Sequence, residues 1–238
     1  MTDTPLLQVK DIHTYYDNTS HVLQGVSMDF MGGGYAIIGR NGMGKTTLVK
    51  TIMGLVPAKR GAIFFKGEDI TKLKPYEIGS RRIGYVPQGR DLFPSLSVHE
   101  HFLLASRSGN GDLWDTEKVY ELFPRLKERA KQGAATLSGG EQQMLAIGRA
   151  LVTNPTLLIM DEPSEGLAPV ILEGLIETYH SLMETGISIL LVEQNLHTAA
   201  AMVDEMYVMV AGKIVNKVNS QEFLKDKSMR EKYLGVKV

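Results

Sequence analysis

The sequence predicts an α/β domain with a mostly parallel central sheet, a small antiparallel β layer at its start and a helical insert near its middle. Three observations carry this prediction. Short apolar runs alternate with helix-period segments from Tyr35 to Val210, the order that packs helices against parallel strands. Apolar positions alternate from Leu7 to Phe30 around the polar turn Asp17-Asn18-Thr19-Ser20, as two antiparallel strands require. Between Gly89 and Thr136 the strand signals stop, and helical spacing appears in Val98 to Ala105 and again in Glu117 to Phe123.

Taken in order, Tyr35-Ala36-Ile37-Ile38 reads as a short buried strand after the β layer. Thr46 to Met53 reads as a helix, with Leu48, Val49, Ile52 and Met53 on one side and Gly54 as its stop. Another strand precedes Gln88, and Gly109-Asn110-Gly111-Asp112 breaks the helical insert in two. A helix from Gln142 to Val152, a buried strand from Leu157 to Met160, a helix from Val170 to Met183 and a buried strand from Ile187 to Val192 follow. Met206 to Val210 and Ile214 to Val218 then pair across Ala211-Gly212-Lys213 and form an antiparallel edge. No internal repeat is present, so the chain reads as one unit.

Composition narrows the function. With 238 residues, 43% of them hydrophobic, the chain has enough apolar side chain for one large domain. Its 26 basic and 27 acidic residues include no long basic block, which argues against a nucleic-acid partner. The absence of cysteine excludes disulfides, cysteine-rich zinc sites and thiol catalysis. Met1-Thr2-Asp3-Thr4-Pro5 lacks the basic start and apolar core of a secretory signal, and runs such as Ile189-Leu190-Leu191-Val192 are too short to span a membrane. A soluble cytoplasmic protein is expected.

Three motifs carry chemistry. Gly39-Arg40-Asn41-Gly42-Met43-Gly44-Lys45-Thr46 fits the loop Gly-x4-Gly-Lys-Ser/Thr, in which small residues let backbone N–H groups close around phosphates at a helix start. Lys45 is expected to neutralise the β- and γ-phosphates, and Thr46 to offer its hydroxyl to magnesium. Leu157-Leu158-Ile159-Met160 delivers Asp161 and Glu162 to the edge of a sheet, one carboxylate for magnesium and the other to polarise an attacking water. Ser138-Gly139-Gly140-Glu141 is a capping box, and a capped helix start after glycines is also an anion site.

In this order the phosphate loop, Leu137-Ser138-Gly139-Gly140-Glu141-Gln142-Gln143 and Asp161-Glu162 resemble the nucleotide-binding subunit of an ABC transporter, over about Val9 to Gly235. The resemblance implies a P-loop NTPase (RecA-like) core of residues 1–88 and 137–238, carrying the β subdomain, and a helical subdomain at 89–136, within one domain of residues 1–238. It implies ATP and magnesium as ligands, with Gly39, Arg40, Asn41, Gly42, Met43, Gly44, Lys45, Thr46 and Thr47 around the phosphates and Tyr16 stacked on adenine, Tyr15 being the alternative. It places Ser138, Gly139 and Gly140 on the γ-phosphate held by an opposite subunit, so that two chains build two shared sites. Thr46, Gln88 and Asp161 are then the metal residues, and Glu162, Gln88 and Gln194 the catalytic ones. Most members of that superfamily have a histidine where this chain has Gln194. His197 lies three residues on, and a helix beginning near Asn195 is expected to turn it elsewhere.

Gly39 to Thr47, Gln88-Gly89-Arg90 through Phe93-Pro94, Asp161 through Pro169, Val192 to Asn195 and Tyr233-Leu234-Gly235 together look like the second ATPase of branched-chain amino acid importers. The partners this implies are a second ATPase, alike or unlike, two membrane permeases and, indirectly, an extracytoplasmic solute-binding protein, with the chain on the inner face of the membrane. Phe93 and Leu96 are the expected permease contacts. ATPases of urea and short-amide importers are the nearest alternative. A soluble ABC ATPase of DNA repair or translation fits less well, because no coiled-coil insertion lies between Gln88 and Ser138, and a P-loop kinase or GTPase leaves Leu137 to Gln143 without purpose.

Overall fold

The computed structural model describes residues 4–17, 19–106 and 113–235. The expected break at Gly109 to Asp112 lies outside these, as does Asn18 of the first turn. In chain order the elements are β1 (Leu7–Tyr16), β2 (Ser20–Phe30), β3 (Gly34–Ile38), α1 (Lys45–Ile52), β4 (Ala58–Phe65), β5 (Glu68–Asp69), α2 (Pro75–Ser80) and β6 (Ile83–Val86). There follow α3 (Val98–Ala105), α4 (Thr116–Leu122), α5 (Pro124–Glu128), a 3-10 turn (Ala134–Thr136), α6 (Gly139–Leu151), β7 (Leu157–Asp161), α7 (Pro169–Glu184) and β8 (Ser188–Glu193). The chain closes with α8 (Leu196–Met202), β9 (Glu205–Val210), β10 (Lys213–Asn219), α9 (Ser220–Lys225) and α10 (Lys227–Leu234).

The fold resolves into two units, residues 1–81 with 188–238, and residues 82–187. In the first, β1 pairs antiparallel with both β2 and β4, and β5 extends that sheet beyond β4. A second sheet runs β10-β9-β3-β8, with β3 parallel to β8 and β9 and only the outer pair antiparallel. Every residue of β8 and all of β3 but Gly34 are buried, as expected of parallel strands covered on both faces. β1 shows the other pattern, with Leu7, Val9, Ile12 and Thr14 buried and the intervening residues more open.

In the second unit β6 and β7 pair parallel, Ile83 opposite Leu157 through Val86 opposite Met160. Phe102 of α3 and Val119 of α4 pack where Gly148 of α6 leaves room: a Cβ there would lie 2.7 Å from Val119 and 2.9 Å from Phe102. Asn154, itself left-handed at φ 54°, accepts from the Trp114 N–H at 2.7 Å and donates to the Trp114 carbonyl at 2.7 Å. That pair of bonds ties the stretch before α4 to the end of α6.

Sequence pattern missed β4, β5, α2, α5, α9 and α10. β4 begins Ala58-Lys59-Arg60-Gly61, which has no alternation, because its pairing with β1 shifts register at that end. The remaining missed elements are eight residues or fewer, too short to show a period.

Candidate nucleotide-binding and hydrolytic sites

The phosphate loop is built by backbone contacts within the first unit. β3 delivers Gly39 so close to the neighbouring strand that a Cβ on it would lie 2.5 Å from the Met209 carbonyl oxygen. Gly42 and Gly44 have φ of 78° and 100°, a region that glycine enters freely, and Gly44 is the N-cap of α1. Its N–H groups therefore open toward the loop, the arrangement that binds phosphate at a helix start. Lys45 is 4% exposed, and its Nζ donates to the Gly39 carbonyl at 2.9 Å and to the Arg40 carbonyl at 3.4 Å. Thr47 is buried and Thr46 half-buried behind it.

The turn between β9 and β10 holds the other side of the loop, which the sequence motif does not reveal. Gly212 N–H donates to the Met43 carbonyl at 3.0 Å, and Ala211 N–H to Met43 Sδ at 3.2 Å. Arg40 reaches the end of α10, its Nη1 3.3 Å from where a Cβ on Gly235 would stand.

Of the two candidate adenine tyrosines, Tyr15 is half-buried and stacks on His21 with ring centroids 4.2 Å apart and planes 4° apart. Tyr16 is 39% exposed. Gln194 follows β8 and is exposed; with Gly39, Arg40, Asn41, Leu196 and His197 it lines a cavity of about 520 Å³. α8 does start after Asn195, whose side chain accepts from the N–H groups of His197 and Thr198. His197, the second residue of α8, lines this cavity together with Gln194.

In the second unit, β7 ends at Asp161, which is 1% exposed, and the chain turns sharply at Glu162, whose φ is 50°. A non-glycine residue in that region costs on the order of 1 kcal/mol and is retained where a site requires the turn. Gln88 follows β6, and its Nε2 donates to Glu162 Oε2 at 3.1 Å and to Glu165 Oε2 at 3.0 Å. Beside them the hydroxyl of Tyr85 is pushed well above its ordinary pKa, first by burial and then by the charges of Asp161 and Asp91, so it stays neutral.

The capping box exists as the sequence predicts. Ser138 Oγ accepts from Glu141 N–H at 3.3 Å, while Glu141 Oε2 accepts from Ser138 N–H at 2.8 Å. Burial would raise the Glu141 pKa, but these Ser138 bonds and the charges of Arg129 and Arg125 outweigh it and hold the group below its usual value. Ser138 and Gly139 are exposed and Gly140 is buried, its virtual Cβ 2.8 Å from Ile171 Cγ2 of α7. The second glycine is thus needed for packing, a requirement the motif alone does not explain.

The ABC transporter family profile matches residues 23–165, a stretch that contains both the phosphate loop and the capped helix. The chain belongs to this family. It is 41% identical over 233 residues to the high-affinity branched-chain amino acid transport ATP-binding protein BraG of Pseudomonas aeruginosa, covering 97% of this chain and 100% of that one. It is 34% identical to a probable branched-chain amino acid transport ATP-binding protein, LivF, of Archaeoglobus fulgidus, covering 91% and 93%. Among solved structures, a nucleotide-free ATP-binding cassette of an ABC transporter superposes with a TM-score of 0.84 at 28% identity, covering 97% and 99%. A cassette in its ADP conformation superposes at 0.80 with the same identity and coverage. This member of the ABC transporter family is an ATP-binding subunit that hydrolyses ATP in a reaction coupled to transport. Such subunits work with membrane permeases, and among the described residues no helix is long and apolar enough to cross a membrane itself.

Proposed function

We propose that this ATPase powers uptake of branched-chain amino acids. The supporting observation is its full-length 41% identity to a relative named for that transport. In this reading the loop N–H groups and Lys45 hold the β- and γ-phosphates, Arg40, Asn41 and Met43 shape the loop around them, Thr47 adds a phosphate contact, and Tyr16 stacks on adenine. The oxygens of Thr46, Gln88 and Asp161 are hard donors suited to magnesium, which when bound neutralises charge between the β- and γ-phosphates. Glu162 takes a proton from water as the water oxygen bonds to the γ-phosphorus and the bond to the β-phosphate oxygen breaks, giving ADP and phosphate. Gln194 donates one amide hydrogen bond to the γ-phosphate without the charge that imidazolium supplies.

Ser138, Gly139 and Gly140 act across a pair of ATPase subunits, each sealing the nucleotide of the other. Residues 1–88 and 137–238 serve as the nucleotide-binding core, and the helical segment 89–136 docks a permease on the inner face of the membrane, with a solute-binding protein feeding the permeases from outside. Within that segment Leu103 and Leu104 are 60% and 65% exposed and Phe93 is 49%, whereas Leu96 is only half-exposed. The two leucines therefore join Phe93 as docking candidates in place of Leu96.

Deleting the chain from its host and measuring uptake of labelled leucine, isoleucine and valine tests the cargo. Uptake of all three should fall and return with the parent chain but not with Glu162→Gln. If their uptake is unchanged while urea or short-amide uptake is lost, the cargo is the latter.

A further inference from the structure

Three consecutive residues after Gln88 have left-handed backbone, with φ of 77° at Gly89, 74° at Arg90 and 43° at Asp91. Glycine takes this conformation freely, but arginine and aspartate keep it only where their surroundings impose it. Here the surroundings are one helix. Arg149 of α6 donates from Nη1 to the Asp91 carbonyl at 2.7 Å and from Nη2 to the Arg90 carbonyl at 3.0 Å. Arg90 answers in the opposite direction, donating from Nε to Gln143 Oε1 at 3.2 Å and from Nη1 to Gln142 Oε1 at 3.1 Å.

Burial pushes the Arg149 guanidinium below its ordinary pKa, against the pull of Asp91, so this cation has given up much of its water for the two carbonyls. The Arg90 guanidinium also lies over the start of α6, 3.6 Å from where a Cβ on Gly139 would stand, and its Nη2 reaches the Glu165 carbonyl at 3.5 Å. The same strained turn therefore follows Gln88 directly and is fastened to the helix that Ser138 caps.

We propose that Arg90 and Arg149 are positioning residues that make Gln88 and the Ser138-Gly139-Gly140 helix start a single mechanical unit. A displacement of the helix start is carried through the clamp to Gln88, whose amide already holds Glu162 and Glu165. The inference rests on the proposed roles of Gln88 and Glu162. Lysine cannot replace either clamp residue, since a point charge lacks the planar fork that grips two acceptors at once.

Arg90→Gly is the informative variant, because glycine accepts the left-handed backbone and only the guanidinium is lost. Steady-state ATP hydrolysis by the full chain should show kcat reduced about tenfold, with KM for ATP within about twofold. Its thermal midpoint should stay within about 2 °C of the parent. In a Gln88→Ala background the same substitution should lower kcat by less than about twofold, because Arg90 acts through a side chain already gone. Parent kcat in Arg90→Gly, an equal loss in both backgrounds, or a loss that tracks a falling thermal midpoint would each overturn the clamp. Parent turnover in Gln88→Ala alone is a separate result, which removes the role of Gln88 and the clamp with it.

Discussion

The phosphate loop and the segment around Gln88 are held by different materials. Around the loop the walls are backbone: the Met209 carbonyl against Gly39, Gly212 N–H on Met43, and the loop's own carbonyls on Lys45. Around Gln88 the contacts are long side chains, with Gln88 on Glu162 and Glu165, Arg90 on Gln142 and Gln143, and Glu141 on Ser138. Backbone walls admit one geometry, whereas glutamine, glutamate and arginine side chains have several rotamers and can exchange partners. The phosphate loop is thus preorganised by backbone, whereas the position of Gln88 depends on a set of side-chain hydrogen bonds.

That contrast should separate two kinds of lesion. The largest effect is expected from Lys45→Ala, which should weaken ATP binding about 150-fold or more, the ~3 kcal/mol upper value of a hydrogen bond to a charged group, measured by titration with a fluorescent nucleotide. Next come two glycines. Gly39→Ala pushes a methyl group into a backbone carbonyl and should cost about 3 kcal/mol in denaturant unfolding, with nucleotide binding lost in parallel. Gly140→Ala meets the side chain of Ile171 instead, and the helix gains about 1 kcal/mol from alanine, so its net cost should be only about 1 kcal/mol. In an Ile171→Ala background that cost should vanish; persistence there would mean that backbone, not a side chain, forms the wall.

The smallest expected effect is a pH dependence in the helical segment. His101 is fully buried, donates from Nδ1 to the Ser97 carbonyl at 2.8 Å, and accepts the Phe93 N–H on Nε2 at 3.0 Å. Burial first, and Arg149 further, lower its pKa against the bond to Ser97, so the folded protein favours neutral imidazole. Its contribution is complete above the ordinary histidine value of about 6.5 and is lost as pH falls from there through the depressed folded value. Thermal midpoints from pH 8 to pH 5 should therefore fall by the equivalent of about 1 kcal/mol, one buried hydrogen bond, and less steeply in His101→Gln.

The same contrast explains what the sequence disclosed. The loop was legible because its requirements are local: spaced glycines, a lysine, a strand before and a helix after. Ser138 and Glu141 were legible for the same reason, as a capping box three residues apart. Nothing local marks Arg90 or Arg149, which are 59 residues apart and meet through carbonyls. The need for Gly140 was likewise hidden, since Ile171 lies on another helix.

The most direct test of the division between a preorganised binding half and a separate hydrolytic half is to measure nucleotide affinity and turnover on one sample of Glu162→Gln. Affinity for ATP should stay within about threefold of the parent, while turnover falls about 100-fold or more, because the phosphate contacts remain and the base is gone. Turnover at the parent rate, or affinity lost together with turnover, would contradict the account.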